Sequence, residues 1–457
     1  MTEPSSRPAA TYARRIGLFS ATMLVVGGII GSGIFLNPAI VAQRVGSGRL
    51  ILLTWALGAA IALLGAFIFA ELGSRKPAAG GGYVYLRDAF GPLPAFLYGW
   101  ALLLAIASGA AAAVAVTFAS YAAPLLGFGA GDEQWIAALA IALLSVINAL
   151  GVRPGAWTQN VFTLLKLAAI AALVLAALLG GGPVAATGCA GAGCGAAASI
   201  GTGVIVAVGT ALVPVLFAYG GWQQTNFVAE EMVDARRNLP RALVIGVLIV
   251  AAVYLAANYT YLRALGPSGL AASRAPAADV MFAFAGETGR RLIAAGIAVS
   301  TFGFLNLVIL VTPRVYQAMA SDGLFFARFA NLHPRSRAPV TAIAAQGLWA
   351  IVLLLSGSYG QLLDWVTFAD WIFFGLTAAT LFTYRRRESG AGYLAPAYPW
   401  TVILFIAASI YVVGGAIISN PANALRGALL LLAGVPVFLF WSRRRSRGAA
   451  AATQPVA

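Results

Sequence analysis

Charged residues are scarce in this sequence. Asp, Glu, Lys and Arg make up 9% of its 457 residues, whereas 61% are apolar. A soluble protein carries roughly 25% charged residues. The apolar residues form long runs, such as 101–116 and 242–257, instead of alternating stripes. Because about 20 consecutive apolar residues span a bilayer, the sequence predicts a polytopic all-α membrane protein. The alternating strands of a membrane β-barrel do not fit this pattern.

Histidine and cysteine are nearly missing, with one His and two Cys. A membrane enzyme needs a cluster of reactive groups at depth, such as His with carboxylates, and His333 falls in a predicted loop. Cys189 and Cys194 share a Gly/Ala-rich loop, where a disulfide and two idle thiols both remain open. With no His or further Cys nearby, they do not form a metal site. The sequence therefore predicts no enzyme, no metal and no cofactor.

The net charge of +15 has a topological pattern. If the N-terminus is cytoplasmic, most arginines fall inside, including Arg385–Arg387 and Arg443–Arg445. This is the positive-inside bias of membrane proteins. We therefore expect both termini in the cytoplasm, an even number of spans and a location in the cell (inner) membrane. Since the arginines are explained by topology, nucleic acid is not an expected partner.

Twelve spans fit the apolar runs. They are predicted near 17–43, 50–73, 93–126, 134–151, 157–180, 202–232, 241–262, 292–320, 339–357, 361–384, 398–419 and 424–441. Residues 16–180 and 200–387 would form two five-helix repeats, followed by helices 11 and 12 in 398–442. Residues 1–15 and 443–457 are predicted to be cytoplasmic tails.

Two of the predicted spans contain glycine clusters at mid-depth, at 27–33 in span one and at Gly220-Gly221 in span six. The two spans lie five apart. This spacing is typical of an inverted five-plus-five repeat, in which each half opens with a discontinuous helix and the breaks meet near the midplane. A small-residue face that packs against another helix is the alternative. A phosphate loop is disfavoured, because no Gly-Lys-Ser/Thr follows the glycines.

A broken helix in lipid frees N–H and C=O groups that need partners. The N–H groups at the start of the second half-helix suit a carboxylate. The C=O groups at the end of the first half-helix suit an ammonium. A zwitterionic amino acid carries both groups, so the two breaks favour an amino-acid site.

The residues at both breaks resemble a known family. Gly28-Ile29-Ile30-Gly31-Ser32-Gly33-Ile34-Phe35 is similar to the first broken helix of the amino acid–polyamine–organocation superfamily. Phe217-Ala218-Tyr219-Gly220-Gly221-Trp222, with Asn226–Met232 and Asn238-Leu239-Pro240 after it, resembles the L-type amino acid transporter branch. Further matching stretches are Ala70–Gly73, Phe90–Phe96 and Ser300–Gly303.

The resemblance implies that two sets of main-chain groups bind the substrate. The N–H groups around Ser32 and Gly33, with Ile30 and Gly31 beside them, would hold the carboxylate. The carbonyls of Phe217, Ala218 and Gly220 would hold the ammonium, and Tyr219 is counted with this substrate-binding stretch. In this family the aromatic residue that matches Phe217 acts as a lid on the outer side.

Lys166 lies about ten residues into span five, roughly 15 Å deep at 1.5 Å per residue. A charge at this depth is a functional candidate by default; a polar residue that only holds helices together is the alternative. In sodium-independent members of the resembled family, a lysine at the matching place fills a sodium site and contacts spans one and eight. The resemblance therefore implies that Lys166 mimics sodium and that transport does not need sodium.

Asp370 lies about nine residues into span ten, beside Trp371. The resemblance places both residues at the outer rim of the pocket, where animal L-type members tend to carry a neutral amide. Asp370 could be a proton-linked carboxyl, a contact for a cationic substrate or part of a gate. The alternative is a protonated acid bonded to a neighbouring helix. We therefore predict gate or coupling roles for Phe217, Asp370 and Trp371.

The combined pattern predicts a sodium-independent carrier of amino acids that works by alternating access. Neutral L-amino acids are the favoured substrates, with exchange or facilitated uptake as the mode. A proton-coupled symporter and a carrier of cationic amino acids or polyamines remain alternatives through Asp370. A channel is disfavoured because the sequence has no filter repeat.

The animal relatives pair with a glycoprotein through an extracellular cysteine. Since this chain has no such Cys outside 189–194, it is expected to need only its amino acid substrate and the lipid bilayer, with no obligatory protein partner.

Overall fold

The computed structural model describes residues 12–129, 131–179, 202–356, 359–387, 392–419 and 421–452. Cys189, Cys194 and most of both predicted tails lie outside these ranges. In the described ranges the chain is helical, with no strand and one isolated bridge between Ile16 and Met232. The helices are α1 (Leu18–Ile29), α2 (Gly33–Val45), α3 (Gly48–Arg75), α4 (Gly82–Phe90), α5 (Pro92–Ala101), α6 (Ala107–Leu126), α7 (Glu133–Ala149), α8 (Val152–Leu179), α9 (Thr202–Ala218), α10 (Ala235–Ala272), α11 (Pro276–Val311), α12 (Pro313–Ser321), α13 (Val340–Leu355), α14 (Tyr359–Arg387), α15 (Trp400–Ser419) and α16 (Pro421–Ala452).

Several of these helices, alone or joined end to end, are long and apolar enough to cross a bilayer. In the described part of the chain, eight helical stretches meet this criterion, or nine if the bent pair α1–α2 counts as one span. Helices α7 and α13 are apolar but shorter, and α14 has 29 residues. The prediction of an all-α polytopic membrane protein is confirmed. The count of twelve spans and the division into two inverted repeats remain predictions.

Both glycine clusters interrupt a helix, as predicted. Helix α1 ends at Ile29 and α2 starts at Gly33, with a bend of 42° between them. Helix α9 ends at Ala218, and the chain continues through Gly221 into a 3₁₀ segment, Trp222–Glu231. Gly221 has a φ of +102°, a conformation that residues with a Cβ rarely adopt. Glycine is therefore needed at the second break for backbone reasons.

The two breaks pack directly against each other. A Cβ atom on Gly221 would lie 2.1 Å from the carbonyl oxygen of Gly28, and one on Gly33 would lie 3.0 Å from Cβ of Ala218. The Tyr254 hydroxyl lies 3.0 Å from the carbonyl oxygen of Ile29 and 3.1 Å from that of Ala218. Only small residues allow this approach, and Tyr254 connects the ends of α1 and α9.

Two sets of helices hold the breaks in place. Helix α10 packs against α1 and α3, whereas α8 packs against α1 and α11. The inner half of broken helix one is therefore enclosed by α8, α10 and α11. The cavity described below opens between this group and the helices α6 and α14.

Buried ion pairs close one end of the bundle, which the charge pattern predicts to be cytoplasmic. Glu231 pairs with Arg314 at 2.7 Å, and both side chains are almost completely buried. Glu71, at the end of α3, pairs with Arg385 of α14 at 2.5 Å. Removing one partner of such a pair leaves an uncompensated buried charge, so these contacts hold the end of the bundle together.

The contact between the breaks predicts that Gly221→Ala is strongly destabilising. The added methyl group would collide with the Gly28 carbonyl, and the φ of +102° would be strained. We expect the melting temperature of the purified protein to fall by roughly 5–10 °C. Gly203→Ala in α9 is the matched control, because no atom lies within 4 Å of its added Cβ. Equal melting temperatures for the two variants would contradict the packing described here.

Candidate functional site

A cavity lies where the two breaks meet. Most of the residues predicted from the sequence line it: Gly31, Ser32, Gly33, Phe217, Ala218, Gly220, Asp370 and Trp371. Its other walls are mainly apolar. They come from the stretch 98–114, which runs from the end of α5 into the first part of α6, from α11 and from α14, and include Ile106, Val114, Phe304, Val308 and Phe374. The structure thus brings the two breaks and the middle of α14 around one space.

The first break presents hydrogen-bond donors to this cavity. Helix α2 begins at Gly33, so its first N–H groups have no carbonyl within the helix. Among the described residues, the N–H groups of Ser32 and Gly33 have no hydrogen-bond partner. Both residues line the cavity. An unpaired helix N-terminus of this kind favours an anionic group.

The second break presents carbonyl oxygens. The Phe217 carbonyl accepts the N–H of Gly220 at 3.2 Å, and the Ala218 carbonyl lies 3.1 Å from the Tyr254 hydroxyl. The carbonyl of Gly220 accepts no hydrogen bond from any residue that the structure describes. A carbonyl oxygen has two lone pairs, so all three can still accept from a cationic group.

Two of the predicted substrate-binding residues do not line the cavity. Ile30 is fully buried, and its carbonyl points to Lys166. Tyr219 is 1% exposed and packs its ring against Trp55 and Tyr254, with centroid distances of 5.8 and 5.0 Å. Any contribution of these two side chains to binding is therefore indirect, through the position of the breaks.

Lys166 is fully buried and holds the carbonyl side of the first break. Its Nζ donates to the carbonyl oxygens of Ile30 at 2.6 Å and Gly27 at 3.1 Å. It also lies against α11, since a Cβ on Gly303 would be 3.5 Å from Nζ. No carboxylate pairs with Lys166 in the described structure, so backbone carbonyls alone balance its ammonium.

Lys166 is the last of three polar contacts between α8 and α1. Asn160 donates to the Ser20 hydroxyl at 2.9 Å, and the Thr163 hydroxyl donates to the Met23 carbonyl at 3.2 Å. In a membrane interior, specific helix contacts rely on close packing and such hydrogen bonds. Helix α8 therefore fixes the position of α1 and of the break at its end.

Asp370 and Trp371 sit on the α14 wall. Asp370 is partly exposed to the cavity and has no hydrogen bond or ion pair with any described residue. Trp371 is 6% exposed and packs against Phe374 and Phe405. Phe217 is 45% exposed and also lines the cavity. The described lining contains no Lys, Arg or His, so the Asp370 carboxyl faces an otherwise uncharged space.

Sequence reasoning missed Tyr254 and did not identify the contact made by Ser300. Ser300 is buried, and its Oγ lies 3.3 Å from the carbonyl oxygens of both Ile30 and Gly31. A single polar residue in an apolar run also fits a simple helix–helix bond, so the sequence alone could not assign either role. The only available signal was the depth of these residues in their spans.

The apolar helices, the two broken helices and the cavity between them fit a multi-pass membrane transporter. Residues 16–440 match the family described as Amino acid permease. The chain belongs to this amino acid permease family, within the superfamily that the sequence resembled.

Several relatives match over almost the whole chain. The Bacillus subtilis serine/threonine exchanger SteT is 33% identical over 446 residues, covering 95% of this chain and 98% of that protein. The human b(0,+)-type amino acid transporter 1 is 31% identical and covers 97% of this chain and 92% of the relative. The human large neutral amino acids transporter small subunit 2 is also 31% identical, with coverages of 94% and 81%. The resemblance to amino acid transporters that include L-type members is therefore confirmed.

The position of Lys166 predicts a specific transport defect. Lys166→Ala removes the donor to the Ile30 and Gly27 carbonyls and so releases the first break, whereas the other contacts of α8 remain. We expect a folded protein with at least tenfold lower uptake. Lys76→Ala is the control, because the Lys76 side chain is 39% exposed and lies away from the cavity. Wild-type uptake by the Lys166 variant would contradict a role for this residue at the break.

Proposed function

We propose that this protein is a sodium-independent carrier of neutral L-amino acids that works by alternating access. The observation that carries the proposal is the meeting of free N–H groups at one helix break with accepting carbonyls at the other, on one cavity. These two sets of groups suit the carboxylate and the ammonium of a zwitterion. The amino-acid transporters among its relatives support the same class of substrate.

The cavity walls support a neutral side chain. Apart from the two breaks, most of the lining is apolar, with Leu102, Ile106, Val114, Phe304 and Val308 facing the space. Apolar walls favour an apolar side chain through burial of its surface. The backbone groups would therefore bind the part common to all amino acids, and these walls would select among side chains.

Sodium independence is supported by the contacts of Lys166. A sodium ion at the first break would need oxygen ligands, and the carbonyl oxygens of Gly27 and Ile30 are natural candidates. Lys166 Nζ occupies this place as a fixed positive charge, at 3.1 and 2.6 Å from the two oxygens. A second cation there would be repelled at short range. The lysine would thus supply the charge that sodium would otherwise bring.

Amino-acid exchange is the proposed mode, with facilitated uptake as the alternative. One relative is named as a serine/threonine exchanger, which supports exchange. Another is named as a small subunit; for this chain we propose function without an obligatory protein partner. The arginine distribution supports a location in the cell (inner) membrane, with both termini on the cytoplasmic side.

Counterflow in proteoliposomes tests the proposal directly. We expect uptake of radiolabelled leucine or serine to accelerate when the vesicles contain unlabelled amino acid, because a carrier returns faster when loaded. The rate should be the same in sodium chloride and in choline chloride. Strict sodium dependence would refute the role proposed for Lys166. Uptake that is unaffected by internal amino acid would argue against exchange.

Asp370 supports a second candidate, a carrier that also accepts cationic amino acids. Its carboxyl faces the cavity without a partner among the described residues, and the nearby walls would suit the methylene groups of a lysine side chain. A proton-coupled role for the same carboxyl is the remaining alternative. Both roles would fail if the carboxyl were replaced by an amide of the same shape.

The Asp370→Asn variant separates these roles. If the carboxylate binds a cationic side chain, lysine uptake should fall at least tenfold while leucine uptake stays near the wild-type rate. Uptake is measured for both substrates between about pH 5 and pH 8. A wild-type pH dependence of leucine uptake that disappears in the variant would instead indicate proton coupling. Unchanged uptake of both substrates at every pH would exclude both roles.

A further inference from the structure

Ser300 makes a contact that its own helix does not require. Several buried Ser and Thr hydroxyls in the described residues donate to a carbonyl one turn earlier in the same helix, as Thr22 does to Leu18 and Thr301 to Ile297. Ser300 instead reaches across from α11 to the first break. Its Oγ lies 3.3 Å from the Ile30 carbonyl oxygen and 3.3 Å from the Gly31 carbonyl oxygen.

The contact with Gly31 determines the direction of the next N–H group. A trans peptide is planar, and its C=O and N–H point in opposite directions. Because the Gly31 carbonyl points to Ser300 on α11, the N–H of Ser32 in the same peptide points away from α11. This N–H belongs to a residue that lines the cavity, and it has no partner among the described residues.

Packing does not fix this peptide. A Cβ added to Gly31 would meet only the Phe304 ring, at 3.7 Å, which is an ordinary contact distance. Glycine has the widest choice of backbone conformations, so the peptide between Gly31 and Ser32 could rotate. If it did, the Gly31 carbonyl would face the cavity and repel a carboxylate there. Hydrogen bonds on the α11 side are what hold the peptide in its present direction.

We propose that Ser300 is a positioning residue for recognition of the substrate carboxylate. Its hydroxyl holds the Gly31 carbonyl and thereby aims the Ser32 N–H into the cavity. Lys166, from α8, holds the adjacent Ile30 carbonyl. This inference rests on the proposed function, since it takes the first break as the carboxylate site.

The test compares Ser300→Ala with Thr301→Val in proteoliposomes. Both changes remove a buried hydroxyl from neighbouring positions of α11, but the Thr301 hydroxyl bonds only to its own helix. For Ser300→Ala we expect the KM for leucine to rise about tenfold, with a maximal rate within twofold of wild type. Thr301→Val should leave KM within about twofold. Ser300→Cys carries a weaker hydrogen-bond donor and should give an intermediate KM. This variant keeps the test conclusive if Ser300→Ala fails to fold.

A second readout separates positioning from a general structural effect. Leucine methyl ester lacks the negative charge, so its inhibition constant should hardly change in Ser300→Ala, while leucine affinity falls. A parallel loss of affinity for leucine and for the ester would overturn the inference, as would an unchanged KM in the alanine variant. If the wild-type protein binds no amino acid at all, the proposed function fails, and this outcome is distinct from both.

Discussion

The need to satisfy every backbone N–H and C=O in a bilayer is the constraint on which this structure depends. Two membrane helices are interrupted at mid-depth, and each interruption leaves groups without a partner in the helix. The protein meets the demand by packing the breaks together, with Gly28 against Gly221 and with the Tyr254 hydroxyl beside the carbonyls of Ile29 and Ala218. The groups that remain unpaired line one cavity. These open groups are the basis of the zwitterion site that we propose.

The first break has two sides with different tasks. On one side Lys166 and Ser300 hold the carbonyls of Ile30 and Gly31. On the other side the N–H groups of Ser32 and Gly33 face the cavity. Holding the Gly31 carbonyl also fixes the direction of the Ser32 N–H, because the two groups belong to one rigid peptide. In the proposed function, Lys166 takes the place of a sodium ion that would have to bind and leave. Helix α8 holds α1 at the same time.

The sequence was sufficient for the all-α membrane class, for both helix breaks and for the positions of Lys166 and Asp370 in the interior of their helices. These features follow from long apolar runs, glycines and isolated charges. Such signals can be recognised in the sequence without knowing which helices pack together. The contacts of Tyr254 and Ser300 could not be predicted, because a single hydroxyl in an apolar run does not indicate which neighbouring helix it contacts. Tyr219 illustrates the opposite error. It lies within the break motif, yet its ring turns away from the cavity to pack on Trp55.

The central claim is that free backbone groups at two breaks bind the two ends of one zwitterion. Calorimetric titration of the purified protein tests it with three ligands of equal side chain: leucine, 3-methylbutylamine, which lacks the carboxylate, and 4-methylpentanoate, which lacks the ammonium. The account predicts that both analogues bind at least a hundredfold more weakly than leucine, since each loses one set of backbone contacts. An analogue that binds as tightly as leucine would contradict the account, because the break that faces its missing group would then contribute nothing to recognition.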